Sequence, residues 1–467
     1  MDQYKKLLSN TLIFAIGAFS SKILVFLLMP IYTSILAPAQ YSTAGLVIDT
    51  ANFIIPITAV CIGEAVIRFG LEKTARKSDV FSSAILTVLI GFAVFLAFYP
   101  LMNLFPFTKG YTYLVYLYVL ASSFKGICAQ FIRAKGYVRL YAFDGIFSTV
   151  MVILFMILGL VVFKWGIVGY VLATILSDFI SALFLIWIAG LWRYFRIKRL
   201  DKSLWKIMLF YSLPLIPNAV FFWVTNLSDR YIVTAILGSD VNGLYTIAYK
   251  IPNLLTVISS IFMQAWQLSA FSETDERVRT RFFSTVFDAY QSLLFVAGSG
   301  IILLIQPITR ILVDKEYFDS WRYVPFLIIA IVFSCFATFF SSIYMTEKRN
   351  NMTMITTFCG AAINVILNFT LIPIYKANGA AFATFFSYFI VFLFRAFHSR
   401  RYIQVNVRWV RLCANLIVLL AQAIIMIWQP STWVFFEIGL TAVMILINAK
   451  TLFTALLKLF EQRRRPA

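Results

Sequence analysis

Four basic residues, Lys22, Lys125, Arg230 and Lys250, stand inside long apolar stretches of this 467-residue chain. A cation in hydrocarbon is costly and by default marks a functional site, because its lost hydration must be replaced by a partner. Such residues recognise anions. Lysine supplies a point charge, and arginine a planar fork that meets phosphate or carboxylate bidentately. The attraction is strongest where the dielectric is low. Acids in comparable places are Asp49, Asp178 and Asp229. Asp178 lies near mid-span and suits either a proton or sodium site or hydrogen-bonded packing. Plainer roles stay open for the cations. Lys125, nearer a helix end, can extend its stem toward water. Arg230 adjoins Asp229, so an ion pair competes with anion binding there, and Lys250 can hold a partner of its own.

Residue types for covalent chemistry are not assembled. The single histidine, His398, sits beside Arg400 and Arg401 at a helix end. The five cysteines fall in or at the edge of apolar segments and read as small core residues. No GxxxxGK[ST], HExxH or CxxC run is present, so neither ATP hydrolysis nor a metal centre is expected.

The elements that must position these charges are transmembrane helices. The chain is 61% hydrophobic and 13% charged, with mean hydropathy +0.87, more apolar surface than a soluble domain can hide. The apolar runs are continuous rather than alternating, which selects helices over a barrel. Fourteen segments are expected: six from Ser9 to Leu191, six from Ile207 to Phe397, then Leu412–Trp428 and Trp433–Leu459. No cleavable signal peptide is expected, because the run after MDQYKKLLSN is too long for one. The loops are too short for an enzyme domain.

The first six segments recur as the next six. ILAPAQYSTAGLVIDTANFI from Ile35 aligns without gaps with ILGSDVNGLYTIAYKIPNLL from Ile236, and GYVLATILSDFI from Gly169 with GAAFATFFSYFI from Gly379. The organisation expected is an N-terminal six-helix lobe over 1–200, a C-terminal six-helix lobe over 201–400, and two extra helices with a basic tail over 401–467. An even number of passes per repeat puts the pseudo-twofold axis along the membrane normal. Pro30 and Pro56 interrupt the first two helices; Pro214, Pro217 and Pro252 interrupt their repeat partners. Paired interruptions point to a transport path. Asp49 and Lys250 are repeat equivalents of opposite sign, placed to meet as a gate.

At this point the residues resemble a known family. SSKILVFLLMPIYTSILAPAQY, SLPLIPNAVFFWVTNLSDRYIVTAILGSDVNGLYTIAYKI and the repeated G-x₄-T-x₂-S pattern look like the Wzx-type oligosaccharide-lipid flippases. These form the polysaccharide branch of the superfamily that also holds multidrug extruders and lipid II flippases. The resemblance covers about the first 400 residues. It implies a transporter rather than an enzyme, alternating access between two lobes, and a cargo of undecaprenyl-diphosphate-linked oligosaccharide, as for O-antigen, capsule or teichoic acid. Lys22, Lys125, Arg230 and Lys250 would then face the diphosphate, and Asp49, Lys250 and Asp229 would gate or pair. No cofactor is implied, with H+ or Na+ as the open candidates for coupling. Membrane lipids and polysaccharide-assembly proteins are the expected partners, and nucleic acid is not. The alternatives are a cation-coupled multidrug exporter, which would want acids dominating the cavity, and a membrane glycosyltransferase or polymerase, which would want an outer catalytic loop.

With the N-terminus placed inside, most of the 40 lysines and arginines fall on its side of the membrane. That accounts for the net charge of +20 without nucleic acid. It also places both termini and the Trp192–Lys206 link in the cytoplasm of a bacterial inner membrane. An impermeant thiol reagent applied to intact cells should therefore label cysteines introduced at Gln40 or Ser239 and spare one at Lys198. The reverse pattern would invert the topology.

Overall fold

A computed structural model describes residues 26–72, 75–196, 200–270, 276–346 and 350–464. Among these the chain is almost wholly helical, with no strand. Ten helices are long and apolar enough to cross a membrane, or eleven if one bent pair counts as a span. Among the described residues the count of fourteen is therefore not confirmed. Most of the first segment lies outside the described residues, as do Lys22 and Lys198. The eighth segment is divided by a turn at Ile251 and Pro252, and the eleventh and twelfth run together.

The chain forms two compact units. The first holds the described residues up to Tyr231 together with Gly238–Gly243, and the second holds Ile232–Leu237 and everything from Leu244. This partition follows contacts, whereas the repeat boundary at 200 follows sequence similarity, so the two divide the chain differently.

In the first unit α1 (Met29–Ile35) leads into α2 (Pro38–Thr58), α3 (Ile62–Leu71), α4 (Lys77–Ala97), α5 (Thr112–Ala134), α6 (Val138–Met156) and α7 (Gly166–Ile188). Then come α8 (Lys202–Ser212), started by the Asp201 carboxylate accepting from the Ser203 and Leu204 amides, and most of α9 (Leu215–Leu237). Most of the expected prolines stand at helix breaks, whereas Pro217 lies within α9. Pro56 precedes a 52° bend between α2 and α3, where Val60 and Cys61 are left-handed, and Pro214 parts α8 from α9. Ile62, Val66, Val80, Phe81, Phe131 and Met208 bring α3, α4, α5 and α8 to one core.

The second unit contains the end of α10 (Ser239–Lys250), α11 (Asn253–Ala270), α12 (Glu276–Leu303), α13 (Val324–Thr346), α14 (Asn350–His398), α15 (Trp409–Trp428) and α16 (Trp433–Arg464). Its core is aromatic: Phe287, Phe333, Phe336, Phe339, Phe340 and Phe392 form linked ring contacts. At 49 residues α14 would be about 74 Å long if straight, more than twice the hydrocarbon thickness. It breaks at Lys376, where φ is 54 and ψ −142.

That break shows the repeat in three dimensions. By the Gly169/Gly379 alignment, Lys376 is the counterpart of Gly166, which opens α7 with φ +55. Both halves reverse direction on a left-handed residue. Three positions later the repeated glycine allows a close crossing. A Cβ at Gly169 would lie 2.7 Å from the Gly159 carbonyl oxygen, and one at Gly379 would overlap the Leu371 carbonyl. Gly169→Ala and Gly379→Ala should each lower stability by about 1–3 kcal/mol, the scale of overpacking. Gly145→Ala and Gly439→Ala, with nothing within 4 Å of the added carbon, should be near neutral. Thermal unfolding in detergent reads the contrast, and equal effects at all four sites would remove the crossing argument.

Candidate functional site

The first unit carries two buried ion pairs. In the first, α5 presents Lys125 and α7 presents Asp178, whose charges meet at 2.8 Å. Lys125 also donates to the Ser148 hydroxyl of α6 at 2.6 Å, and Ser122 donates to the other Asp178 oxygen. Ser177 donates to the Ser148 carbonyl at 2.7 Å, and Ser181 to Asp144 at 2.5 Å. Ser177, Asp178 and Ser181 are spaced to put hydroxyl and carboxylate donors and acceptors along one side of α7. Lys125 keeps 23% of its side chain exposed and Asp178 11%. The sequence set these residues apart as a phosphate cation and a coupling acid, but folding brings them together.

In the second, Arg230 of α9 reaches Asp49 of α2 at 2.8 Å, with side-chain exposures of 15% and 10%. Helix α9 is held there by aromatic groups. The Trp223 indole donates to the Asp49 carbonyl at 3.0 Å and packs on Phe53, and the Tyr231 hydroxyl pairs with Thr50 at 2.8 Å and lies edge-on to Phe107. Asp229 accepts from the Arg230 backbone amide at 2.9 Å, an N–H···O contact within the helix. One turn from the start of α2, Ser42 accepts from Asn242 of α10 at 2.8 Å. These contacts join α2 to helices of the second repeat.

Of the other predicted residues, Lys22 lies outside the described residues. Lys250 ends α10, half-buried in the second unit, whereas Asp49 makes its ion pair with Arg230. In the second unit the position equivalent to Asp178 is Tyr388, and neither α13 nor α14 contains an acid. Around that position the polar groups are neutral, with Thr384, Asn364 and Asn368 linked in sequence.

A residue that sequence reading missed is Arg395. It is 6% exposed and donates to Thr356 at 2.9 Å, Thr357 at 3.0 Å, and the Ala337 and Thr353 carbonyls at 2.9 and 3.3 Å. In sequence it merges with the basic run through Arg401. The available signal was its seven-residue spacing from Tyr388, two turns along the inward face of α14. Four neutral acceptors tie α13 to both ends of α14. Among the described residues, no group of three or more His, Cys, Asp or Glu is placed to hold a metal ion.

Membrane-length helices with paired ions buried among them define a polytopic membrane protein. The chain belongs to the polysaccharide biosynthesis protein family, which matches residues 7–274. A structure of the lipid II flippase MurJ in an inward closed conformation superposes with TM-score 0.70, at 15% identity, covering 96% of this chain and 100% of that one. An inward-facing multidrug resistance MATE transporter of the MOP superfamily gives 0.67, at 14% identity, over 81% and 95%. At these identities the likeness is one of fold. An uncharacterized membrane protein of Methanocaldococcus jannaschii is 27% identical over 124 residues, and the match spans about a quarter of that relative's length, 24%, and 26% of this chain.

Removing one member of a buried pair strands its partner's charge, at about 3–5 kcal/mol. Asp49→Asn should therefore destabilise the protein by that order, and the swap of Asp49→Arg with Arg230→Asp should recover much of the loss. Detergent melting temperatures of the wild type and the two variants check this. No recovery in the swapped protein would mean that the pair is not held by its charges.

Proposed function

We propose that this protein is a flippase that moves a polyprenyl-diphosphate-linked oligosaccharide from the cytoplasmic to the outer leaflet of a bacterial inner membrane by alternating access, with no ATPase chemistry of its own. The observation that carries this reading is that the polysaccharide-family match, residues 7–274, contains both buried ion pairs. The MurJ-like fold supports the class of cargo, a polar glycan on a diphosphate and a long lipid tail.

The geometry suggests how fixed cations serve such a cargo. A naked Lys or Arg in a membrane cavity would be too costly to keep. Here Asp178 and Asp49 hold Lys125 and Arg230 in place while no cargo is bound. An arriving diphosphate exchanges one anionic partner for another, so no charge is left bare at any stage. Arg230 offers a fork for two phosphate oxygens, and Lys125 a single strong donor beside Ser148 and Ser122. Lys22 and Lys250 would add cations along the path. The displaced Asp178 is the group to which we assign any coupling to H+ or Na+. The lipid tail stays in hydrocarbon throughout.

The test is flipping of a defined lipid-linked glycan in reconstituted liposomes. Lys125→Gln with Arg230→Gln should slow it by on the order of a hundredfold or more, since two charged hydrogen bonds are lost and each contributes about 1.5–3 kcal/mol. Asp49→Asn, where it folds, should retain binding of the glycan lipid. Wild-type flipping by the double variant would discard the mechanism. Efflux of cationic drugs with no movement of any glycan lipid would favour the multidrug exporter instead.

A further inference from the structure

We propose that a cavity between α12, α15 and α16 binds the phosphate of an anionic phospholipid, separately from the transport path. The cavity has a volume of about 420 Å³ and is lined by Ser284 and Thr285 of α12, Arg408 just before α15, and Lys450, Thr451 and Thr454 of α16. That size lies within the range of small-molecule sites, roughly 300–1,000 Å³.

Its position in the bilayer follows from the helices. Ser284 and Thr285 follow the charged stretch 276–281 that opens α12, Arg408 directly precedes α15, and Lys450 and Thr454 stand in the C-terminal half of α16, ahead of its basic end. The charged ends of these three helices thus lie toward one membrane face, which places the cavity near headgroup level. A chain fold that merely packed these helices would need no polar hollow there.

Its charge is unbalanced in favour of cations. Asp288 is the only acid in the lining, and two guanidinium groups already use it: Arg411 binds one oxygen, and Arg408 lies 3.5 Å from the other. Arg411 also donates to the Thr451 hydroxyl at 2.5 Å, which fixes that wall. Lys450 makes no ion pair among the described residues and is exposed, as is Arg408, with 66% of its side chain open. One carboxylate thus faces Arg408, Arg411 and Lys450. The missing negative charge is supplied by a phosphate ester. Thr285 and Thr454 add hydroxyls at the rim, each now turned back onto a carbonyl of its own helix at 2.9 and 2.7 Å and free to rotate toward an oxygen acceptor.

The surface leading from the cavity fits the rest of a lipid. Leu446 is one turn from Lys450 on the same face of α16 and is 75% exposed, and Val410 beside Arg408 is 88% exposed. Acyl chains lying along these side chains would bring a phosphate to the two cations. A basic pocket between membrane helices at the interface is the form that anionic headgroup sites take.

The experiment uses the full chain in nanodiscs of phosphatidylcholine, with and without phosphatidylglycerol, and reads melting temperature and lipid retention in native mass spectrometry. Phosphatidylglycerol should raise the melting temperature and stay bound to the wild type. Arg408→Gln with Lys450→Gln should cut its affinity on the order of tenfold or more, with an unchanged melting temperature in phosphatidylcholine alone to show intact folding. Soluble glycerol 1-phosphate should give no comparable shift. Equal retention of phosphatidylglycerol by the double variant overturns the site, and a full shift from glycerol 1-phosphate overturns its assignment to a lipid. Neither readout involves transport, so this site and the proposed flipping stand or fall independently.

Discussion

An ionised side chain surrounded by hydrocarbon must have a partner, and the first unit is organised around that requirement. Lys125 and Asp178, then Arg230 and Asp49, each meet at 2.8 Å with little of either side chain exposed. The desolvation of two charges is tolerable only when geometry is good and the remaining donors are occupied. The serines of α5 and α6 meet that condition at the first pair, and at the second the Trp223 indole binds the Asp49 backbone and holds the two helices together. The same need makes these pairs suitable for function. A cation held by a carboxylate stays charged and positioned, yet its partner can be exchanged for a stronger anion.

The second unit has an ion pair of its own, Arg411 with Asp288, but at Arg395 it meets the demand by other means. Arg395 has no acid on α13 or α14 to pair with and is enclosed by hydroxyls and backbone carbonyls. Four fixed neutral acceptors make this arginine a clamp between helices, poorly suited to changing partners. The two halves of the duplicated chain have thus diverged in polarity while keeping the same turn, Gly166 in one and Lys376 in the other. The close helix crossing is likewise shared, at Gly169 and Gly379. Backbone geometry is conserved between the repeats because a crossing without room for a Cβ admits only glycine. Polar side chains are not bound in that way, and the charges have redistributed.

The last two helices differ from both. They are joined by Asn415 and Asn448, which exchange side-chain hydrogen bonds, and by Gln422 with Glu437, and they rest on α12 through Arg411 and Asp288. Amide pairs hold helices together in lipid, where no hydrophobic force separates helix from solvent.

Much of this was legible in the residues alone. Hydropathy is local and adds along the chain, so it determined the all-helical membrane class and most of the helices. Proline acts on its own helix, so the breaks near Pro56, Pro214 and Pro252 could be read in advance, and the Gly169/Gly379 match located the repeat. Sequence could also single out Lys125, Asp178, Asp49 and Arg230 as charges that needed an explanation. It could not say which charge meets which. Lys125 and Asp178 are 53 residues apart, and Asp49 and Arg230 are 181 apart. The choice between them depends on how each helix is rotated and which neighbours it packs against. The same holds for Arg395, hidden in a basic run, and for the cavity beside Lys450, which exists only where three helix ends meet. The hydrophobic effect is non-directional and leaves that rotation open, and only the packed helices decided it.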